Sequence, residues 1–145
     1  MIITSDNLSV ELLRSSLIDK NLNILEKPNG SDNHLTLDIH NRDFHVAPLL
    51  GERIMLLSAS KVNFPPSLSR EELLEKIANE FNSDLMCTCR AYLIDDDYIG
   101  FTQSLHVTVQ GIAPEHIKIV LLSFSIECSI NDQVIEKKLL SIDAT

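Results

Sequence analysis

The 145 residues are about the size of one domain, and 44% hydrophobic with 23% charged residues is the balance of a chain that folds around a core. Twelve basic against twenty-one acidic side chains leave a net charge of −9, a field that repels phosphate backbones and anionic lipid alike. Neither nucleic acid nor a membrane is therefore expected as a partner. No apolar run approaches the ~18 residues of a membrane span, and MIITSDNLSVELLRSSL has neither the basic start nor the apolar stretch of a secretory signal. A cytoplasmic protein with reduced Cys87, Cys89 and Cys128 is expected.

No repeat, heptad series or linker divides the chain, so a single domain over 1–145 is the expected organisation. Residues 6 to 20 set Val10, Leu13 and Leu17 on one helical stripe, with Asp6 or Ser9 as the cap. Leu22 and Ile24, alternating with Asn23, begin a first strand before the Pro28-Asn29-Gly30 turn signal. Leu35, Leu37 and Ile39 alternate with Thr36, Asp38 and His40 as a half-buried second strand. Residues 44 to 50, interrupted by Pro48, read as an irregular stretch, and the short apolar run Ile54 to Leu57 as a central strand.

Pro65-Pro66 ends that strand. Ser69, with Glu72 in the capping-box position, opens a second helix carrying Leu74, Ile77, Ala78 and Phe81 at helical spacing. Two alternating segments follow, 85 to 94 and 98 to 110, joined by the turn Asp95-Asp96-Asp97. If Ile94 lies opposite Tyr98, Leu93 pairs with Ile99, Ala91 with Phe101 and Cys89 with Gln103 on an apolar face, and Tyr92 with Gly100 and Arg90 with Thr102 on a mixed one. Gly111 and Pro114 open a last helix from about 114 to about 129 or beyond. Strands in clusters rather than in βα alternation predict an α+β two-layer sandwich. Its sheet is mainly antiparallel and five-stranded, with helices on one face, in the order α-β-β-β-α-β-β-α.

No motif for chemistry emerges. Cys87-Thr88-Cys89 has neither the spacing of a redox pair nor four zinc ligands, and both cysteines fall on the apolar strand face, as structural thiols. His34 and His40 share a predicted strand face but lie roughly 20 Å apart along an extended chain, too far for one metal. The five histidines read as surface residues. Asp95-Asp96-Asp97 lacks the alternating ligand spacing of a calcium loop, and no Gly-rich phosphate cradle, HExxH or GxSxG is present. No cofactor, metal or catalytic residue is expected, and the protein is not expected to be an enzyme.

Two surfaces stand out instead. On the sheet's free face, Met86, Arg90, Tyr92, Thr102 and His106 include types enriched at interfaces and form a candidate partner-docking face. On the last helix, Val120, Leu121, Phe124 and Cys128 fall within about 60° of Ile117, while Ile119, Leu122, Ile126 and Ile130 gather on the opposite side. A sheet can cover only one stripe. The second needs another helix of the same chain or a second copy, and is the candidate interface of a homodimer, with helix two as the other.

Ile77-Ala78-Asn79-Glu80-Phe81-Asn82 closing a helix, a strand hairpin, and Val109-Gln110-Gly111-Ile112-Ala113-Pro114-Glu115 leading into an apolar helix with Phe124 together resemble the YbjN family. The fold of that family resembles the type III secretion chaperones. The motif covers about a third of the chain, and the element order nearly all of it. The resemblance implies a non-enzymatic, regulatory or chaperone-like protein, often dimeric, and carries over no catalytic residue. The expected function is a cytoplasmic module that docks another polypeptide. The alternative is a small-molecule sensor using the sheet face or an adjacent cleft, marked by an apolar pocket of several hundred Å³ with converging polar groups.

Overall fold

The computed structural model describes residues 1–49, 51–62, 70–84, 89–94 and 97–143. The elements run α1 (Val10–Leu17), a 3-10 turn (Lys20–Leu22), β1 (Leu25–Glu26), β2 (Leu35–Ile39), β3 (Arg42–Leu49), β4 (Arg53–Lys61), α2 (Arg70–Ser83), β5 (Arg90–Leu93), β6 (Tyr98–His106) and α3 (Pro114–Asp143). The fold is α+β, with six strands in the order β1-β2-β3-β4-β6-β5 rather than the five expected. The extra strand is β3, the stretch around Pro48 read as irregular. By contact density the chain divides into two compact units, Met1–Ser58 with Gln103–Ser125, and Ala59–Thr102 with Ile126–Thr145.

In the first unit, Ser9, one of the two caps expected, caps α1, its hydroxyl accepting from the Leu12 N–H at 3.1 Å, and the helix ends at Leu17 within the 6–20 segment expected. Leu22, assigned to a strand, instead closes the 3-10 turn, and β1 begins at Leu25. β2 and β3 form a hairpin through His40 and Asn41, both at positive φ (53° and 63°), a two-residue turn whose twist matches the strands. The Asn41 N–H is held by Asp38 Oδ1 at 3.1 Å.

Pro48 is tolerated because it lies beyond Val46, the last described partner of β2, where one flank of β3 is open. Leu35, Leu37, Ile39, Phe44, Val46, Ile54 and Leu56 are fully buried on one face, with α1 packed on β2 and Phe124 of α3 edge-on to Phe44 at 5.8 Å. β4 runs past the apolar Ile54–Leu57 because Ser58 continues its buried face, donating to the Asp43 carbonyl at 2.9 Å and accepting from Arg42 Nε at 2.7 Å. Gly111 (φ +88°) is required where the N-terminal segment bridges Ile3 to Ile112, since a Cβ there would press on Ile2 and the Ile3 carbonyl.

In the second unit, Leu73, Leu74, Ile77, Ala78 and Phe81 bury the inner stripe of α2, and Phe81 meets Phe101 of β6 edge-on at 5.4 Å. The Ser69 cap lies outside the described residues. Asn82 binds β5 twice: its Oδ1 accepts from the Ala91 N–H at 2.7 Å, and its Nδ2 donates to the Ala91 carbonyl at 2.8 Å. The β5–β6 register is the one expected, Arg90 with Thr102, Ala91 with Phe101, Tyr92 with Gly100 and Leu93 with Ile99. Ala91, Ile99 and Phe101 are buried, but Leu93, expected on the same buried face, is exposed at the strand end. β6 ends at His106, four residues short of the segment expected.

Candidate functional site

On the sheet's second face in the first unit, side chains of β3 and β4 gather around a cleft that no described helix lines. His45, Ala47 and Leu49 of β3 alternate with the buried Phe44 and Val46. Met55 and Leu57 of β4 alternate likewise with Ile54 and Leu56. Register sets His45 opposite Leu57, and Ala47 opposite Met55. With Asn33, His34 and Pro48, these side chains line an open cleft of about 650 Å³. Its floor is aliphatic and its polar groups sit at one end.

That polar end is built from a short hydrogen-bond chain. Asn29 Oδ1 accepts from the Ser31 N–H at 2.8 Å, which turns the amide NH2 toward the His34 carbonyl (3.3 Å) and Thr36 Oγ1 (2.7 Å). Thr36 lies directly opposite His45 in the β2–β3 register, and its Oγ1 is 3.2 Å from His45 Nδ1. The His34 ring stands edge-on to His45 with centroids 5.3 Å apart. Burial, then the charge of His34 and more weakly Lys27, hold the His45 imidazole below its ordinary value, while Asp43 opposes them. The ring is thereby biased toward its neutral form.

The residues singled out in the sequence lie elsewhere. Arg90 is exposed and donates to the Asn82 carbonyl at 3.2 Å, and Tyr92 is half-buried, its ring lying over Gly100 of β6. Thr102 is half-buried and His106 exposed, while Met86 lies outside the described residues. Thr36, expected on the wet face, is only 4% exposed beneath Asn29 and His45. Of the α3 stripes, Ile117, Leu121, Phe124 and Cys128 are fully buried. Ile119, Ile126 and Ile130 remain 61%, 62% and 53% exposed, with Leu122 half-buried, so no helix of the described chain covers that side.

Cys89 is buried in the second unit, its thiol donating to Glu127 Oε1 at 3.3 Å and accepting from Asn131 Nδ2 at 3.4 Å. Burial, then the Glu127 charge, pushes that thiol up to about 12. Among the described residues no three His, Cys, Asp or Glu side chains gather to hold a metal ion, and no helix is long and apolar enough to cross a membrane. The cleft itself was missed because residues 44–50 were not read as a strand. A sequence signal was present: Phe44 to Leu49 and Ile54 to Leu57 are nearly all apolar at both parities, which gives an antiparallel pair two apolar faces.

Six strands backed by helices define the class, an antiparallel α+β fold. More particularly, the fold is YbjN-like. YbjN from E. coli, described as a candidate transcription regulator, superposes with a TM-score of 0.63 over 91% of this chain and 95% of that one, at 19% identity. An uncharacterised protein from Methanothermobacter thermautotrophicus gives 0.60 over 91% and 99%, at 16% identity. No family model and no curated protein matches the chain.

Proposed function

We propose that the chain is a non-enzymatic binding module whose cleft on the β3–β4 face docks an apolar segment of another polypeptide. One observation carries this reading, the open cleft of about 650 Å³ floored by Ala47, Leu49, Met55 and Leu57, to which no described helix contributes a lining residue. Small-molecule sites commonly bury most of their ligand, whereas an open cleft leaves one side of its occupant wet, which suits a segment that continues into a larger chain. Neighbours of the same fold are a candidate regulator and an uncharacterised protein, in keeping with a module that acts by binding. Binding to an array of neutral, apolar octapeptides tests the proposal. Wild type is expected to bind and Ala47→Asp and Leu57→Asp, folded by circular dichroism, to lose it. Undiminished binding by both variants overturns it.

A specific observation also favours the sensor reading, since volume and converging polar groups were its expected mark. It predicts that small apolar amides alone saturate the cleft as tightly as octapeptides do. The peptide reading predicts that affinity grows with length.

A second copy of the chain belongs to the same proposal, as occupant of the exposed row on α3. In an antiparallel pair of α3 helices centred on Ile126, Leu122 meets Ile130 and the exposed Glu115 meets the exposed Lys137, so charge and apolar positions both match. Light scattering is expected to give twice the 16.3 kDa of one chain, and 16.3 kDa at micromolar concentration overturns self-association.

A further inference from the structure

The hydrogen-bond chain at the polar end of the cleft fixes what the occupant must present. Asn29 cannot be turned the other way, because its Oδ1 is taken by the Ser31 N–H and its NH2 faces the His34 carbonyl. The NH2 therefore donates to Thr36 Oγ1, and among the described residues the one acceptor within reach of the hydrogen of this buried hydroxyl is His45 Nδ1 at 3.2 Å. A neutral imidazole accepting at Nδ1 carries its hydrogen on Nε2.

Nε2 has no protein partner among the described residues, and no described buried side-chain nitrogen or oxygen is without one. This N–H is therefore open to solvent, on a residue that lines the cleft. The floor beside it is aliphatic and uncharged, through Ala47, Met55 and Leu57. Of the titratable groups that act on the ring, Lys27 and Asp43 are engaged with one another at 3.0 Å, and His34 stands edge-on to it at the polar end of the cleft.

We propose that the occupant seats an aliphatic side chain on Ala47, Met55 and Leu57 and places a neutral carbonyl oxygen on the Nε2–H of His45. This rests on the reading of the cleft as a peptide-docking site and names the chemistry of the docked segment. A backbone carbonyl next to a leucine-like side chain supplies both parts. An ammonium group next to the same side chain brings only donors to a site that already donates, and is rejected.

The test is a nuclear magnetic resonance titration with two probes sharing an isobutyl group, N-acetyl-leucine methylamide and isoamylammonium, following the Met55 methyl and the His45 imidazole nitrogens. The free protein is expected to show the Nε2–H tautomer. The amide should shift both signals saturably, and the ammonium should bind at least roughly fivefold more weakly, the scale of one lost hydrogen bond. His45→Gln, which keeps an N–H donor, should retain amide binding, and His45→Phe should lose the discrimination. Equal binding of both probes, or unchanged discrimination in His45→Phe, overturns the carbonyl inference and leaves the docking site standing. Absence of any saturable shift at the Met55 methyl overturns both.

Discussion

Burial of His45 beside His34 sets the sign of a pH dependence. Because its imidazole is held below the ordinary value of about 6.5, the unfolded chain takes up the proton first as pH falls. The stability contributed by neutral His45 is full above that value. It falls as pH drops through it and levels off below the lower folded value. Thermal melts between pH 8 and pH 5 are expected to fall more steeply for wild type than for His45→Gln, and parallel curves would contradict the assignment. Cys89 makes the opposite case, a group placed so as not to react. With its thiol at about 12 and buried beside Glu127, alkylation at pH 8 should be slow until the protein unfolds, and rapid modification would contradict its placement. The burial of Cys89 was legible from strand alternation. The pairing of His34 with His45 was not, because those rings meet across a hairpin whose turn, His40-Asn41, lacks the usual glycine and gave no local signal.

At the scale of elements, the sequence residues that carried the family resemblance turn out to be joints. Phe81 packs on Phe101, and Asn82 completes two backbone hydrogen bonds at the start of β5. Asn82→Ala should cost about 1–3 kcal/mol in denaturant melts, since it orphans the Ala91 N–H and carbonyl together, and an unchanged midpoint would contradict this. The β5–β6 hairpin adds a shape constraint. A methyl at Gly100 would fall within the Tyr92 ring, so Gly100→Ala should destabilise by about 1–3 kcal/mol and a second change, Tyr92→Ala, should recover much of it. Strand and helix periodicity was read correctly where apolar side chains alternate with polar ones, as at β2, α2 and the hairpin. It failed where polar side chains do the buried work: Ser58 extends β4 because its hydroxyl satisfies Asp43 and Arg42, a tertiary arrangement with no local signature.

At the scale of the molecule, the β3–β4 pair of the first unit buries one face and lines an open cleft with the other. Ile54 and Leu56 go to the core, while the intervening Met55 and Leu57 line the cleft. The order of elements and the α+β class were legible because patterning is repeated along the chain. The open cleft was not, because apolar residues on both faces of a strand look the same in sequence whether the second face is covered or free. On α3, the alternation of two apolar stripes was visible, and the exposure of Ile126 is the feature that only the structure supplies. The most direct measurement is the set of intermolecular nuclear Overhauser effects between the protein and a neutral apolar octapeptide selected on the array. Contacts are expected from the peptide's aliphatic side chain to the methyls of Met55 and Leu57 and from its backbone to the His45 ring. Contacts confined to other surfaces, such as Ile126 and Ile130, with none to the cleft, would contradict docking there.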